Sequence, residues 1–273
     1  MSLPVTLRLM ESSQALSPPV AVPDQNDKAL PILFQDDYLV AVNKPSGLLV
    51  HRSPIDRHET RFALQTVRNQ TGRRVYPIHR LDKPTSGVLL FAFSPEIART
   101  LVESFTAGAV QKSYLAVVRG YAPDDGTIDY PLVEDQDKHD HIYTGIEKEG
   151  QAAVTDFRTL ARIELQSAVG RYDTSRYSLV ALSPRTGRRH QLRRHFKHIF
   201  HPIIGDTRYG EGRHNRFFRE EFGMHRLLLH AAELTFPHPV TGVPVELTAP
   251  LDRELMALLA RLGWLNAVPP GWR

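Results

Sequence analysis

Two spacings of apolar residues alternate along this chain. Short apolar or alternating runs, the mark of strands, recur at 32–34, 38–42, 48–50, 88–93, 112–118, 127–132, 153–163, 177–182, 226–230, 233–236 and 244–248. In 112–118, Tyr114, Ala116 and Val118 fall on one face and Leu115 and Val117 on the other, as the period of two requires. The last two runs predict a hairpin around Thr241 and Gly242.

Spacings of three and four predict helices at four places. One covers about 59–70, with Phe62, Leu64 and Val67 inward and Gly72 as its stop. The next starts at Ser94 as N-cap and Pro95 in the first turn, buries Ile97, Leu101 and Phe105, and ends at Gly108. A third covers about 188–200, capped by Thr186, with Leu192, Phe196 and Ile199 inward. The fourth, 251–262, carries Leu255, Leu258, Leu259 and Leu262. Segments 133–151 and 207–219 lack a period and read as loops, the second one basic. Residues 1–29, rich in Ser, Pro, Gln and Asp, read as a flexible tail.

Strands dominate, most joined by hairpins, with no βαβα alternation and no Gly-rich phosphate loop. The pattern predicts an α+β fold with a mixed, mainly antiparallel sheet, in one catalytic domain over 30–273. No internal repeat appears.

Composition narrows the chemistry. No apolar run is long enough to cross a bilayer, and the N-terminus lacks a signal-peptide pattern. The 273 residues include no cysteine, which excludes disulfides, thiolate catalysis and cysteine–zinc sites. A cytoplasmic protein is expected. Lys plus Arg is 34 against 30 for Asp plus Glu, a net charge of +4 with pI near 9.4. The distribution says more than the sum. Residues 185–198 hold Arg185, Arg188, Arg189, Arg193, Arg194 and Lys197 with no acid, while acids gather at 122–140. A basic face set apart in this way suits a phosphate backbone.

Three constellations carry candidate chemistry. HRLDKPTSGVLL at 79–90 places Asp82 on a turn feeding an apolar strand. A carboxylate there is either a turn residue or a nucleophile. QKSYLAVVRG at 111–120 sets Tyr114 in a strand, where a tyrosine is usually core or rim. RTGRRHQLRRH at 185–195 joins a turn to a helix N-terminus, a ready anion site. Arg193 borders the apolar stripe there, and a half-buried arginine needs an anion. A catalytic carboxylate kept ionised in a dry pocket needs such an arginine in turn. His190, His195, His198 and His201 lie close together but form no metal-ligand pattern, so no metal is expected. A glycosidase requires a second carboxylate, and none pairs obviously with Asp82. Aspartyl-phosphate chemistry of the D-x-D type meets Pro84 where a second Asp belongs.

The strings themselves carry a resemblance. HRLDKPTSG at 79–87 is similar to the motif around the nucleophilic aspartate of the RluA-type pseudouridine synthases. ILFQDDYLVAVNKPSGLLVH at 32–51, QKSYLAVVRG at 111–120, LSPRTGRRHQLRRHFKHIFHPIIGD at 182–206 and RLLLHA at 226–231 resemble that family's other motifs, in order. Segments 50–59, 170–180 (GRYDTSRYSLV) and 222–231 resemble most the branch that acts on uridine 65 of tRNA. No counterpart of the extra N-terminal S4-like domain of some relatives is expected.

The resemblance implies the pseudouridine synthase fold and these roles. Asp82 would be the nucleophile, with attack at C6 of the base or C1′ of the sugar, or a glycal route, left open. Tyr114 would stack on the flipped base, and Arg193 would pair with Asp82. Arg80 would fill the gap the uridine leaves, with His79, Thr85, Arg188, Arg189 and His190 also set against RNA. No cofactor is required, because nothing is oxidised or transferred. The partner would be RNA, tRNA first, and the protein a monomer without an obligate protein partner. Two other readings remain: the same isomerisation on ribosomal RNA, and a non-catalytic RNA-binding protein that keeps the cleft. Loops 133–151 and 207–219 are expected to set substrate choice.

Overall fold

The computed structural model describes residues 29–52, 58–133 and 149–273. The expected tail, Ala29 apart, and nearly all of loop 133–151 lie outside the described residues. Ten strands form one sheet: β1 (Ile32–Gln35), β2 (Leu39–Lys44), β3 (Tyr76–Pro77), β4 (Ser86–Ala92), β5 (Gln111–Arg119), β6 (Asp125–Asp129), β7 (Val154–Leu165), β8 (Ser175–Pro184), β9 (Leu229–Pro237) and β10 (Pro244–Thr248). Their order is β1-β2-β4-β9-β5-β8-β7-β6, with β3 added to β4 and β10 to β9. The β4–β9 pair is parallel, through Ser86↔His230 and Gly87↔Ala231. The other pairs are antiparallel. The α+β class expected above is the one observed, and the sheet is mixed and mainly antiparallel.

Among the described residues, five α-helices cover the sheet: α1 (Ala63–Thr71), α2 (Pro95–Thr106), α3 (Gln191–His198), α4 (Gly212–Phe222) and α5 (Arg253–Arg261). Strand alternation assigns them to faces. Leu89 and Phe91 of β4 meet Ala63 and Val67 of α1, while Val88 and Leu90 meet Leu101 of α2. In β5, Ala116 and Val118 meet Leu192 and Phe196 of α3. Leu115 and Val117 turn to Phe218 of α4 and Leu255 and Leu258 of α5. So α1 and α3 share one face, and α2, α4 and α5 the other. A fully buried leucine such as Leu101 contributes roughly 2 kcal/mol by its removal from water.

One segment passes between these faces. Where β5 and β9 part beyond Ala116↔Leu229, Ile203 and Ile204 wedge into the gap. Ile204 N donates to Val117 O, and Leu228 N donates to Ile204 O. Ile203 packs on the α3 side and Ile204 on the α4 side. The chain thereby passes from the α3 face to the α4 face through this gap. Gly205 follows, with φ +79° and Arg226 O only 1.9 Å from where a Cβ would stand, so a glycine is required there.

Three expectations are corrected. Leu48–Val50 forms no strand. Its carbonyls instead accept from Ala63 N and Leu64 N, closing the first turn of α1, which has no side-chain cap. Runs 226–230 and 233–236 are not two strands, because β9 runs unbroken from Leu229 to Pro237. Most of 207–219 is not loop but leads into α4, capped by the Glu211 carboxylate on His214 N and ended by Gly223. Its buried positions include His214 and Asn215 beside Phe218, so an apolar period misses it. Among the described residues no helix is long and apolar enough to cross a membrane.

Candidate active site

Asp82 sits on the loop before β4, and a second turn clamps that loop. In the NKPSG turn after β2, Gly47 N donates to Lys83 O at 2.8 Å and Ser46 Oγ to Pro84 O at 2.7 Å. Lys44, fully buried, donates from Nζ to Lys83 O at 3.2 Å, Pro45 O at 3.1 Å and Leu48 O at 2.8 Å. Burial pushes the Lys44 ammonium down to about 7, Arg226 adds to this, and the charge of Asp82 opposes it. Three carbonyl acceptors are filled completely only by an ammonium, so they too favour the proton. Thr85 N closes the turn on Asp82 O at 3.0 Å. Gly87 then lets β4 approach β9: its φ is +116°, and a Cβ would stand 2.1 Å from Ala231 O.

From the other side, α3 presents Arg193. Its Nε and Nη2 donate to Asp206 at 2.7 and 2.9 Å, and Nη1 donates to Asp82 Oδ2 at 3.0 Å. The planar guanidinium thus spends one edge on an anchor and extends one arm to the candidate nucleophile. The Asp206 side chain is 1% exposed and the Asp82 side chain 19%, so the anchor is dry and the candidate nucleophile is reachable. Burial alone would raise the Asp206 carboxyl, yet the bonds and charge of Arg193 and the amides of Tyr209 and Arg208 bring it below its ordinary value. Burial likewise works against the Arg193 charge, but Asp206 and then Asp82 hold its proton more tightly than usual.

The Tyr114 ring lies partly buried between the clusters of α1 and α3. Burial first, and the nearby Asp82 charge second, raise its phenol well above the ordinary range. The group at that wall of the site is therefore a neutral hydroxyl. His190 stands at the start of α3 with φ 55°, a left-handed backbone uncommon outside glycine. Its Nδ1 lies 2.9 Å from Tyr209 Oη, and its Nε2 lies 3.7 Å from Asp82 Oδ1, too far for a hydrogen bond. Burial lowers the His190 pKa against the pull of Asp82. The Tyr209 ring also lies against the Arg193 guanidinium, 5.2 Å from its centroid.

The remaining sequence-predicted residues fall into two groups. Arg80 and Arg188 are exposed, and Arg189 is half-buried. Arg188 Nε donates to Ala152 O. His79 stacks on Phe105 with ring centroids 5.2 Å apart and accepts from Leu90 N. Thr85 is buried at 2% exposure. These last two sit in the framework of the loop rather than on open surface. Helix α3 begins at Gln191 rather than near Arg188, so Arg189 lies before the helix. Thr186 does not cap it directly; its hydroxyl donates to Gln191 Oε1, which also accepts from Arg188 N. Two of the clustered histidines pack: His195 lies between Thr155 Oγ1 and Tyr130 O, and His198 stacks on Tyr130. Lys44, Asp206 and Tyr209 were not singled out by sequence reasoning. The signal for Asp206 was there in the unmet charge demand of Arg193, which Asp82 alone was assumed to fill.

Residues 38–198 match the RNA pseudouridylate synthase family, a stretch that runs from β2 to the end of α3 and contains Asp82, Tyr114 and Arg193. The chain belongs to that family of isomerases. It is 52% identical over 258 residues to tRNA pseudouridine synthase C of Pectobacterium carotovorum, covering 94% of this chain and 68% of the relative. It is also 52% identical to tRNA pseudouridine synthase C of Vibrio cholerae, over 88% of this chain and 98% of the relative. The solved structure of human RNA Pseudouridylate Synthase Domain Containing 4 superposes with a TM-score of 0.64 at 28% identity, covering 85% and 93% of the two chains.

Proposed function

We propose that this protein converts uridine 65 of tRNA to pseudouridine, with Asp82 as the nucleophile. The observation that carries the reading is the Asp206–Arg193–Asp82 chain, which aims a reachable carboxylate from a dry anchor. The tRNA substrate is supported by the named relatives, which this chain matches over most of its length.

The reaction breaks the N1–C1′ bond and joins C5 to C1′; C5 gives up its hydrogen as a proton and N1 gains one. A base inside a stacked helix must first be flipped out, at a cost of a few kcal/mol. The exposed guanidinium of Arg80 is suited to stack where the base left. Asp82 attacks the flipped uridine, and Arg193 holds the carboxylate in place. Tyr114, neutral and beside Asp82, offers a ring face to the base and a hydroxyl able to pass a proton. Arg188, Arg189 and His190, in the basic segment before α3, would meet the RNA backbone.

The test uses unmodified tRNA labelled with tritium at C5 of uridine. Release by the wild type and none by Asp82→Ala, with RNA binding kept, is the expected result. Release by Asp82→Ala at the wild-type rate would remove the nucleophile assignment. Release from ribosomal RNA alone would move the substrate there.

A further inference from the structure

An open depression of about 670 Å³ lies apart from Asp82. Its walls are the end of β5, the connection from β7 to β8, and the start of α4. Asp82, Tyr114 and Arg193 are not among its lining residues. Tyr114 and Arg119 stand five residues apart on β5, roughly 17 Å at the rise of an extended strand. That odd spacing also sends their side chains to opposite faces.

The lining is strongly cationic. Arg119, Arg171, Arg176 and Arg213 face a single lining carboxylate, Glu211. Two of these charges are matched locally: Arg176 pairs with Glu164 at 3.2 Å and Arg213 with Glu211 at 3.3 Å. The other two are not. Arg119 forms no ion pair among the described residues, and Arg171 donates to the Tyr172 hydroxyl at 2.6 Å while stacking over that ring at 4.8 Å. Tyr172 itself is 61% exposed. Unmatched guanidinium groups beside an exposed aromatic face combine the two contacts that RNA offers, phosphate and stacked base. The chemistry at Asp82 uses none of these residues, although 170–177 (GRYDTSRY) is one of the more distinctive stretches of the sequence.

From this juxtaposition we infer that the depression is a second RNA site, holding backbone phosphates of a part of the tRNA remote from the target uridine. The inference rests on the tRNA reading above. It makes Arg119 and Arg171 determinants of affinity for whole tRNA and not of the chemical step.

The test compares tritium release from full-length tRNA and from a short stem-loop carrying the target uridine, using wild type and the double variant Arg119→Gln/Arg171→Gln. Matching thermal unfolding of the two proteins is checked first, and Arg171→Lys serves as the charge-preserving control if the double variant is unstable. For full-length tRNA, KM should rise about tenfold with kcat unchanged, and the slope of log KM against log salt should flatten by about two. The stem-loop should be turned over equally by both proteins. An unchanged KM for full-length tRNA would overturn the inference, as would an equal loss on both substrates. Saturable pyrophosphate binding that the double variant loses, with tRNA KM unmoved, would make this a small-anion site instead. Absence of release by the wild type from any tRNA would sink the tRNA reading itself, a result distinct from these.

Discussion

Arg193 decides how much the candidate site tolerates. Its guanidinium serves Asp206 and Asp82 at once, a division that a lysine, with one compact charge, cannot reproduce. Arg193→Lys is therefore expected to fold but to lower kcat about a hundredfold, since misplacing the proposed nucleophile Asp82 by about 1 Å costs that much. Steady-state kinetics on tRNA would show it, and a kcat within a few-fold of wild type would refute it. Asp206→Ala removes the anchor and leaves a buried arginine half-matched. It should cost about 3 kcal/mol in urea unfolding, with loss of activity following. Arg193 was legible in the sequence because it sits beside an apolar stripe. Asp206 was not, because the fold brings two carboxylates to that arginine and the spacing in the chain shows only that one is needed. Lys44 was hidden for a similar reason: its partners are backbone carbonyls, which sequence does not distinguish.

At the scale of elements, the helices with clean apolar periods, α1, α2, α3 and α5, were predicted to within a few residues, as were most strands. α4 was lost because it buries His214 and Asn215. Asn215 Oδ1 accepts from Gly205 N, and its Nδ2 donates to Asp206 O. That helix therefore holds the loop beneath Arg193 through Asn215 as well as packing Phe218 into the core. The parallel joint of β4 and β9 was equally invisible, since pairing across 144 residues leaves no local trace. Its requirement for glycine is testable. Gly87→Ala meets the Ala231 backbone at 2.1 Å and a left-handed φ, so it should abolish folded protein or cost well over 3 kcal/mol. Gly47→Ala has a similar φ of +85° but open space around it. It should cost only about 1–2 kcal/mol by urea titration. Equal costs at the two positions would remove the steric argument.

Across the whole molecule, acid stability is set partly by the buried network behind β4. His230 donates from Nε2 to Ala249 O and accepts at Nδ1 from the Ser86 hydroxyl. Arg226 in turn donates to Ser86 and pairs with Asp252. Burial pushes the His230 imidazole down to about 4 from its ordinary 6.5. Between those values the unfolded chain takes up a proton that the folded one refuses. Stability is then fully present above about pH 6.5 and falls as the pH drops toward 4, by about 3 kcal/mol at most from this residue. Urea midpoints should fall from about pH 7 to about pH 5, and less so in His230→Asn; an identical fall in the variant would clear His230 of the effect.

The position of β9 has a consequence for synthesis. Among the described residues it alone joins β4 to β5 within the sheet, and it is encoded in the last fifth of the chain. While the ribosome still holds that part, both halves present an unpaired strand edge, the kind of surface that recruits other nascent chains. Premature termination before Leu229 should therefore yield aggregates, and a peptide spanning β9 supplied in trans should restore some of the soluble fraction.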